Sequence, residues 1–374
     1  MKRFLSALFS LIVLVVLGVA IYFNQQFCMH QIDKVQGMYY VFKGDHAYKN
    51  LKLAKAIKFY NKGLNLYPAH YSAWYNLGNI YVVYEDYYSA LYAYSQAFKY
   101  NPKMMTARMN YGVIAAEKLG NFDSALEQYN KIIKTKRKII NIPYVFKNGL
   151  STKENKAIAY YNIGVTYRYK SIYSNDNWEL QRKYLSKAID AYKKSLKISP
   201  KRYDTLYNLG VAYQIAGRYN EAGECYCKAI ELKPMSYEAH YNLAVLLRGM
   251  HYYKEAYEEI DKAATLITAL GQNSAAEIYL SVIMNDITVS LYQDKSYQKY
   301  LATILEEEKK KVQQHSKSKD KPIISKKNEE ANDFDYNTNL IDGKIVVTEE
   351  MDNAIIKNFG KCPSMSLFID NDDD

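Results

Sequence analysis

Trp74-Tyr-Asn-Leu-Gly-Asn-Ile-Tyr81, followed by Ala90, Tyr94, Ala97 and Pro102, is the stretch that decides the fold. Its pattern returns after 34 residues, or after multiples of that period disturbed by insertions, and prolines at 68 and 102, then at 200 and 234, keep the same phase. A fixed period of this length signals stacked helix-turn-helix units and argues against one closed globule.

With repeat position 1 placed at Tyr71, a small residue recurs at position 8 as Gly78, Gly112, Gly164, Gly210 and Ala244. A bulky one precedes each: Leu77, Tyr111, Ile163, Leu209 or Leu243. Glycine inside a helix costs roughly 1 kcal/mol against alanine, so its recurrence needs a cause, and close approach of one helix to its partner supplies it. The second helix carries Ala56, Ala90, Ala125, Ala188, Ala222 and Ala256. Four residues after each stands Tyr60, Tyr94, Tyr129, Tyr192, Tyr226 or Ile260. A spacing of four puts both on one helix face.

These marks define six units, near 37–70, 71–104, 105–138, 157–202, 203–236 and 237–270, the first degenerate because Lys43 stands where an apolar residue is expected. The period breaks over 139–156 and over 171–182, and insertions in repeat arrays map to loops. After the array, Ser274-Ala-Ala-Glu277 reads as a capping box opening an amphipathic helix, and 297–311 reads as another. Residues 271–312 are therefore expected to form a degenerate repeat or capping helices.

The marker set resembles the tetratricopeptide repeat family, with several positions matched in five successive units and a span of about 37–270. The resemblance implies an all-α fold: a right-handed superhelical solenoid of about six to seven units, whose concave face is lined by first helices and holds other proteins. Asparagine occupies position 6 in five units, as Asn76, Asn110, Asn162, Asn208 and Asn242. An amide offers a donor and an acceptor to an extended backbone, and this row resembles the asparagine ladder of O-GlcNAc transferase repeats, which implies a grip on the main chain of client peptides. Hydrogen bonding inside the stack is the other reading of the same row, and the sequence leaves both open. Tyr75, Tyr161, Tyr207 and Tyr241 at position 5 flank it with rigid contact surface, and Arg168 and Arg248 at position 12 add a basic rim. The family's clamp for chaperone tails needs lysine at position 5, where Tyr75 stands.

No Gly-rich phosphate loop, His-Glu-x-x-His, paired CxxC or nucleophile elbow occurs in the sequence, which argues for binding without turnover and implies no catalytic residue, cofactor or metal. His240 and His251 read as packing or surface residues. The cysteines at 28, 225, 227 and 362 make no disulfide framework, and Cys225 and Cys227, on different sides of one helix, read as small buried apolar side chains.

Residues 4–23 form an apolar run behind Met1-Lys2-Arg3, about 30 Å long at 1.5 Å per residue. The expectation is a membrane anchor within 1–25, with a cleaved signal ending near Gly18-Val-Ala20 as the competing reading. Lys2, Arg3 and the terminal amine outweigh Lys34 and Lys43, which favours repeats outside the cytoplasm. The net charge of +11 is segregated: residues 328–374 hold 12 acids and 3 lysines, a net of −9, leaving +20 for the rest. Residues 313–374 read as a mostly disordered basic-then-acidic tail, in which Lys344-Ile-Val-Val347 is apolar enough for a strand or a docking peptide. The basic charge suits anionic lipid head groups better than nucleic acid, and no small-molecule substrate is indicated. The expected function is a membrane-tethered scaffold or adaptor that binds extended segments of partner proteins. The alternative is an accessory subunit presenting substrates to a separate glycosyltransferase or secretion and envelope-assembly complex.

Overall fold

The computed structural model describes residues 2–135, 152–174, 177–269, 274–317, 340–341, 344–345 and 362–368. Helices α1 (Lys2–Lys49), α2 (Leu53–Leu66), α3 (Tyr71–Val83), α4 (Tyr87–Tyr100), α5 (Met105–Val113) and α6 (Phe122–Lys134) come first, then α7 (Thr152–Ile172) and α8 (Trp178–Ile198). They are followed by α9 (Tyr203–Ile215), α10 (Tyr219–Leu232), α11 (Tyr237–Gly249), α12 (Tyr253–Ala269), α13 (Ser274–Gln293) and α14 (Lys295–Lys317). The chain divides into two compact units, Met1–Thr166 and Tyr167–Asp374. In the first, α1 packs on α2, α3 on α4 and α5 on α6. In the second, α9 packs on α10, α11 on α12, and α13 on both α11 and α12. Connections this short make each pair antiparallel. The fold is an all-α array of repeated helix pairs.

Two sequence marks turn out to be one contact. The position-8 glycines lie against the second-helix tyrosines of their own repeat: Gly44 on Tyr60, Gly78 on Tyr94, Gly112 on Tyr129 and Gly210 on Tyr226. A Cβ added at Gly210 would stand 2.7 Å from the Tyr226 ring, and the other three sites are as tight. All four rings are fully buried. Leucine at 210 would have to push that ring out, and overpacking of this kind costs about 1–3 kcal/mol. Gly210→Leu is therefore expected to lower the melting temperature by several degrees, and an unchanged melt would contradict the contact.

The turn from first to second helix has its own requirement. Position 15, moved to 16 in the third repeat by one extra residue, is left-handed in five repeats, at Leu51 (φ 55°), Glu85 (57°), Gly120 (65°), Gly217 (72°) and His251 (66°). Only glycine adopts this conformation without a steric penalty. Leu51 is 82% exposed and contributes little packing, so Leu51→Gly is expected to stabilise the first unit by about 0.5–1 kcal/mol in a denaturant titration.

Ala125 follows Ala90 by 35 residues where the period is 34. The extra residue is absorbed in a π-helical turn, Ile114–Lys118, at the end of α5, the usual way a helix takes up one residue without losing its pairing. The longer break at 171–182 is absorbed differently from the loop expected. Helices α7 and α8 are 21 residues each, against 13 and 14 for α3 and α4, so residues 171–172 and 178–182 are helical. Of the other inserted stretch, 152–156 opens α7 and 139–151 lies outside the described residues.

Helix α1 runs for 48 residues without a break. Leu11 to Phe23 stand exposed along it, and its last turns, with Gly37 and Gly44 against α2, are the first helix of the first repeat. The apolar run and the array thus share one helix. Of the tail, α14 reaches Lys317, Leu340–Ile341 pairs antiparallel with Lys344–Ile345, and Pro363–Leu367 forms a 3₁₀ helix on α10. The rest, and with it the expected disorder, lies outside the described residues. Cys227 is bonded to Cys362, 135 residues away. This corrects the reading of Cys227 as a plain apolar filler, while Cys225 is a buried thiol as expected.

Candidate protein-binding face

The position-6 asparagines are held by the preceding repeat. Asn110 Nδ2 donates to the Tyr75 hydroxyl at 3.4 Å, Asn162 Nδ2 to Met109 Sδ at 3.1 Å, and Asn242 Nδ2 to the Tyr207 hydroxyl at 2.8 Å. In each case the acceptor sits at position 5 one repeat earlier, so within each unit the two rows read separately in the sequence interlock. Position 5 of the first repeat is Val41, which accepts nothing, and Asn76 Nδ2 bonds Asp45 Oδ1 at 3.1 Å and the Tyr60 hydroxyl at 3.2 Å. Asn208 Nδ2 turns back to the Asp204 carbonyl within α9, at 2.9 Å.

These rungs also satisfy the buried phenols. Tyr94 donates to Asn79 Oδ1 at 2.8 Å, and Tyr60 to Asp45 Oδ1 at 2.7 Å. Burial pushes the Tyr94 hydroxyl up to about 12, with the Asn110 hydrogen bond opposing. Burial and then the Glu238 charge raise Tyr207 in the same direction. The phenols stay neutral hydroxyls across the physiological range.

All eleven residues expected at the site, Asn76, Asn110, Asn162, Asn208, Asn242, Tyr75, Tyr161, Tyr207, Tyr241, Arg168 and Arg248, are half-buried. That is the exposure of a packed surface with accessible atoms. The two arginines differ. Arg248 Nε is paired with Asp286 Oδ2 of α13 at 2.7 Å. Arg168 lies with its guanidinium 5.5 Å from the Tyr169 ring centre, and its buried Nε has no hydrogen-bond partner among the described residues. A buried donor left unmade is costly, and an acidic group would satisfy it best.

Sequence reasoning missed a second polar row, at position 4. Trp74 Nε1 donates to the Pro68 carbonyl at 2.8 Å, Arg108 Nε to that of Pro102 at 3.4 Å, and His240 Nε2 meets that of Pro234 at 3.0 Å. Each ties a first helix to the proline six residues before it. Two of the three also reach the second helix: Arg108 Nη1 donates to Gln128 Oε1 at 2.7 Å, and His240 Nδ1 lies 2.6 Å from Glu259 Oε2. His240 and Glu259 are fully buried, and Lys262 Nζ holds the other carboxylate oxygen at 2.7 Å. Both ring nitrogens face oxygen atoms, one on the second helix and one on the preceding turn. The only signal was that tryptophan, arginine and histidine share an N–H donor.

Among the described residues no group of three His, Cys, Asp or Glu is placed to hold a metal. What the first helices of each unit present is neutral amides and phenols, and in the second unit the half-buried Arg168.

Helix pairs of this kind, repeated at 34 residues, define a helical repeat protein. The sequence pattern of the tetratricopeptide repeat matches residues 84–138 and 203–236, and the chain carries tetratricopeptide repeats there. Similar solved structures include YrrB, described as a TPR protein with an unusual peptide-binding site. It is 22% identical over 54% of this chain and 88% of its own, with a TM-score of 0.40. A thermophilic TPR protein of Thermus thermophilus, TTC0263, is 20% identical over 59% and 99%, at 0.39. PilF of Pseudomonas aeruginosa is 14% identical over 72% and 99%, at 0.45. No curated relative matches the chain.

Proposed function

We propose that the chain is a membrane-tethered, non-enzymatic scaffold whose first-helix face binds extended segments of partner proteins. The observation that carries this is the rung between positions 5 and 6, in which Asn110 with Tyr75, and Asn242 with Tyr207, fix one another before any partner arrives. Side chains already ordered lose little entropy on binding, and half-buried tyrosines supply area at low cost. Arg168 adds a chemical preference, since the positive charge of its half-buried side chain favours a partner segment that carries an acidic side chain. The exposed apolar stretch of α1 supports the tether: a helix over Ser10–Lys49 is long and apolar enough to cross a membrane.

Panning a library of random peptides against the full chain in detergent is expected to enrich sequences with an acidic residue. Arg168→Gln should then weaken the selected peptides about tenfold, the loss of one charge-assisted hydrogen bond. Replacing Asn162, Asn208 and Asn242 together by alanine should weaken them further at unchanged helix content. Peptides that bind the triple variant and the parent equally would sink the proposal, because the face would then be structural only.

A further inference from the structure

The side of α10 away from Gly210 carries a feature that the binding face does not use. Gly223 and Cys227 are four residues apart and so share one face of the helix. A Cβ at Gly223 would collide with the Phe368 ring, and Cys227 is bonded to Cys362. Phe368 is 1% exposed and Ser364 is 3% exposed. Between the two anchors the chain makes a tight clip: Met365 N–H donates to the Cys362 carbonyl, and Phe368 N–H to that of Met365, each at 3.1 Å. A glycine inside α10 costs about 1 kcal/mol against alanine. Here it has a use, because its missing side chain is the seat for an aromatic ring.

We propose that this face of α10 is a receptor for the chain's own segment 362–368, locked by oxidation of Cys227 and Cys362, and that the second unit matures in an oxidising compartment. The match of two anchors to one helical turn argues for this occupant: a thiol at one end of the clip meets Cys227, and a ring at the other fills the space above Gly223. The tether raises the segment's effective concentration at the seat. The lock closes by thiol–disulfide exchange with a donor disulfide, of an oxidoreductase or of a small dithiol couple. The Cys362 thiolate, on the more accessible partner, attacks the donor and expels one thiolate. The Cys227 thiolate then attacks the Cys362 sulfur of the mixed disulfide and expels the second. Two thiols lose two protons and two electrons, and the donor leaves as a dithiol. Cys225 is a poor competitor, since two residues along the helix place it on another side and burial pushes its thiol up to about 12. Such bonds persist outside reducing compartments, the side on which Lys2 and Arg3 also place the repeats.

The full chain would be extracted from membranes with thiols blocked by N-ethylmaleimide at lysis, and digested without reduction. Blocking would be done under denaturing conditions, and the expected product is peptide 219–228 linked to the Cys362 peptide, with fragmentation placing the alkyl group on Cys225 and the bond on Cys227, and with Cys28 alkylated. Alkylated Cys362, or Cys362 joined to any other cysteine, would overturn the lock. Hydrogen exchange separates the seat from the bond. Dithiothreitol should speed exchange across 362–368 at least tenfold, and Phe368→Ala should deprotect the α10 amides around Gly223 while the disulfide remains. Unchanged exchange on reduction would show that the bond locks nothing, and unchanged exchange in Phe368→Ala would show that the ring has no seat.

Discussion

Replacing His240 by alanine is expected to destabilise the second unit by about 3–5 kcal/mol, the range for breaking a buried pair by removing one partner. The loss has two sources. Glu259 stays buried with its charge and keeps only Lys262, and the Pro234 carbonyl loses the donor that ties α11 to the preceding turn. Glu259→Gln should cost less, because an amide can still accept from the ring while carrying no charge. Acid separates the two variants. Burial raises the Glu259 carboxyl, but the His240 hydrogen bond and the charges of His240 and Lys262 outweigh it and hold the carboxyl below its ordinary value. A depressed folded value means that its stabilisation is fully present above the ordinary carboxylate range, near about 4.3, and is lost as pH falls through the lower folded value. Thermal melts of the parent should therefore decline more steeply below about pH 4 than those of Glu259→Gln. Parallel declines would remove this pair from the acid response.

Removing residues 4–23 is expected to move the chain from the carbonate-washed membrane pellet to the supernatant almost completely. A spanning segment would place some twenty residues in a hydrocarbon core, and with each large apolar side chain worth roughly 1.5–3 kcal/mol on burial the sum would leave no measurable soluble fraction of the parent. In the described residues Leu14, Ile21 and Phe23 are about two-thirds exposed, an apolar surface of the kind that marks contact with a membrane or another protein. A parent that is itself soluble, with a mature terminus near Ile21, would show a cleaved signal instead.

What the sequence made legible follows from where each requirement resides. The glycine and tyrosine rows were visible because every repeat solves the same local packing problem with the same two residues. The left-handed position 15 was hidden, since only Gly120 and Gly217 meet it with glycine. Position 4 was hidden for a related reason: Trp74, Arg108 and His240 share a donor and nothing else. The five asparagines stood out, yet the direction of each amide is set by the repeat before it. Cys227 and Cys362 were unreadable as a pair because a bond across 135 residues depends on where the tail lands, and spacing carries no such information.

A consequence of the uninterrupted α1 concerns bearing. In a bilayer, the stretch between Phe23 and Gly37 is a stiff shaft of about 20 Å, so the first unit cannot swivel freely about its root. Each residue inserted there would lift the array by about 1.5 Å and turn it through about 100°, pointing its face toward a different neighbour. Eighteen inserted residues, roughly five turns, would restore the original heading at a greater height, whereas two would aim it almost backwards. A partner fixed in the same membrane would feel that compass setting, and a freely diffusing one would not.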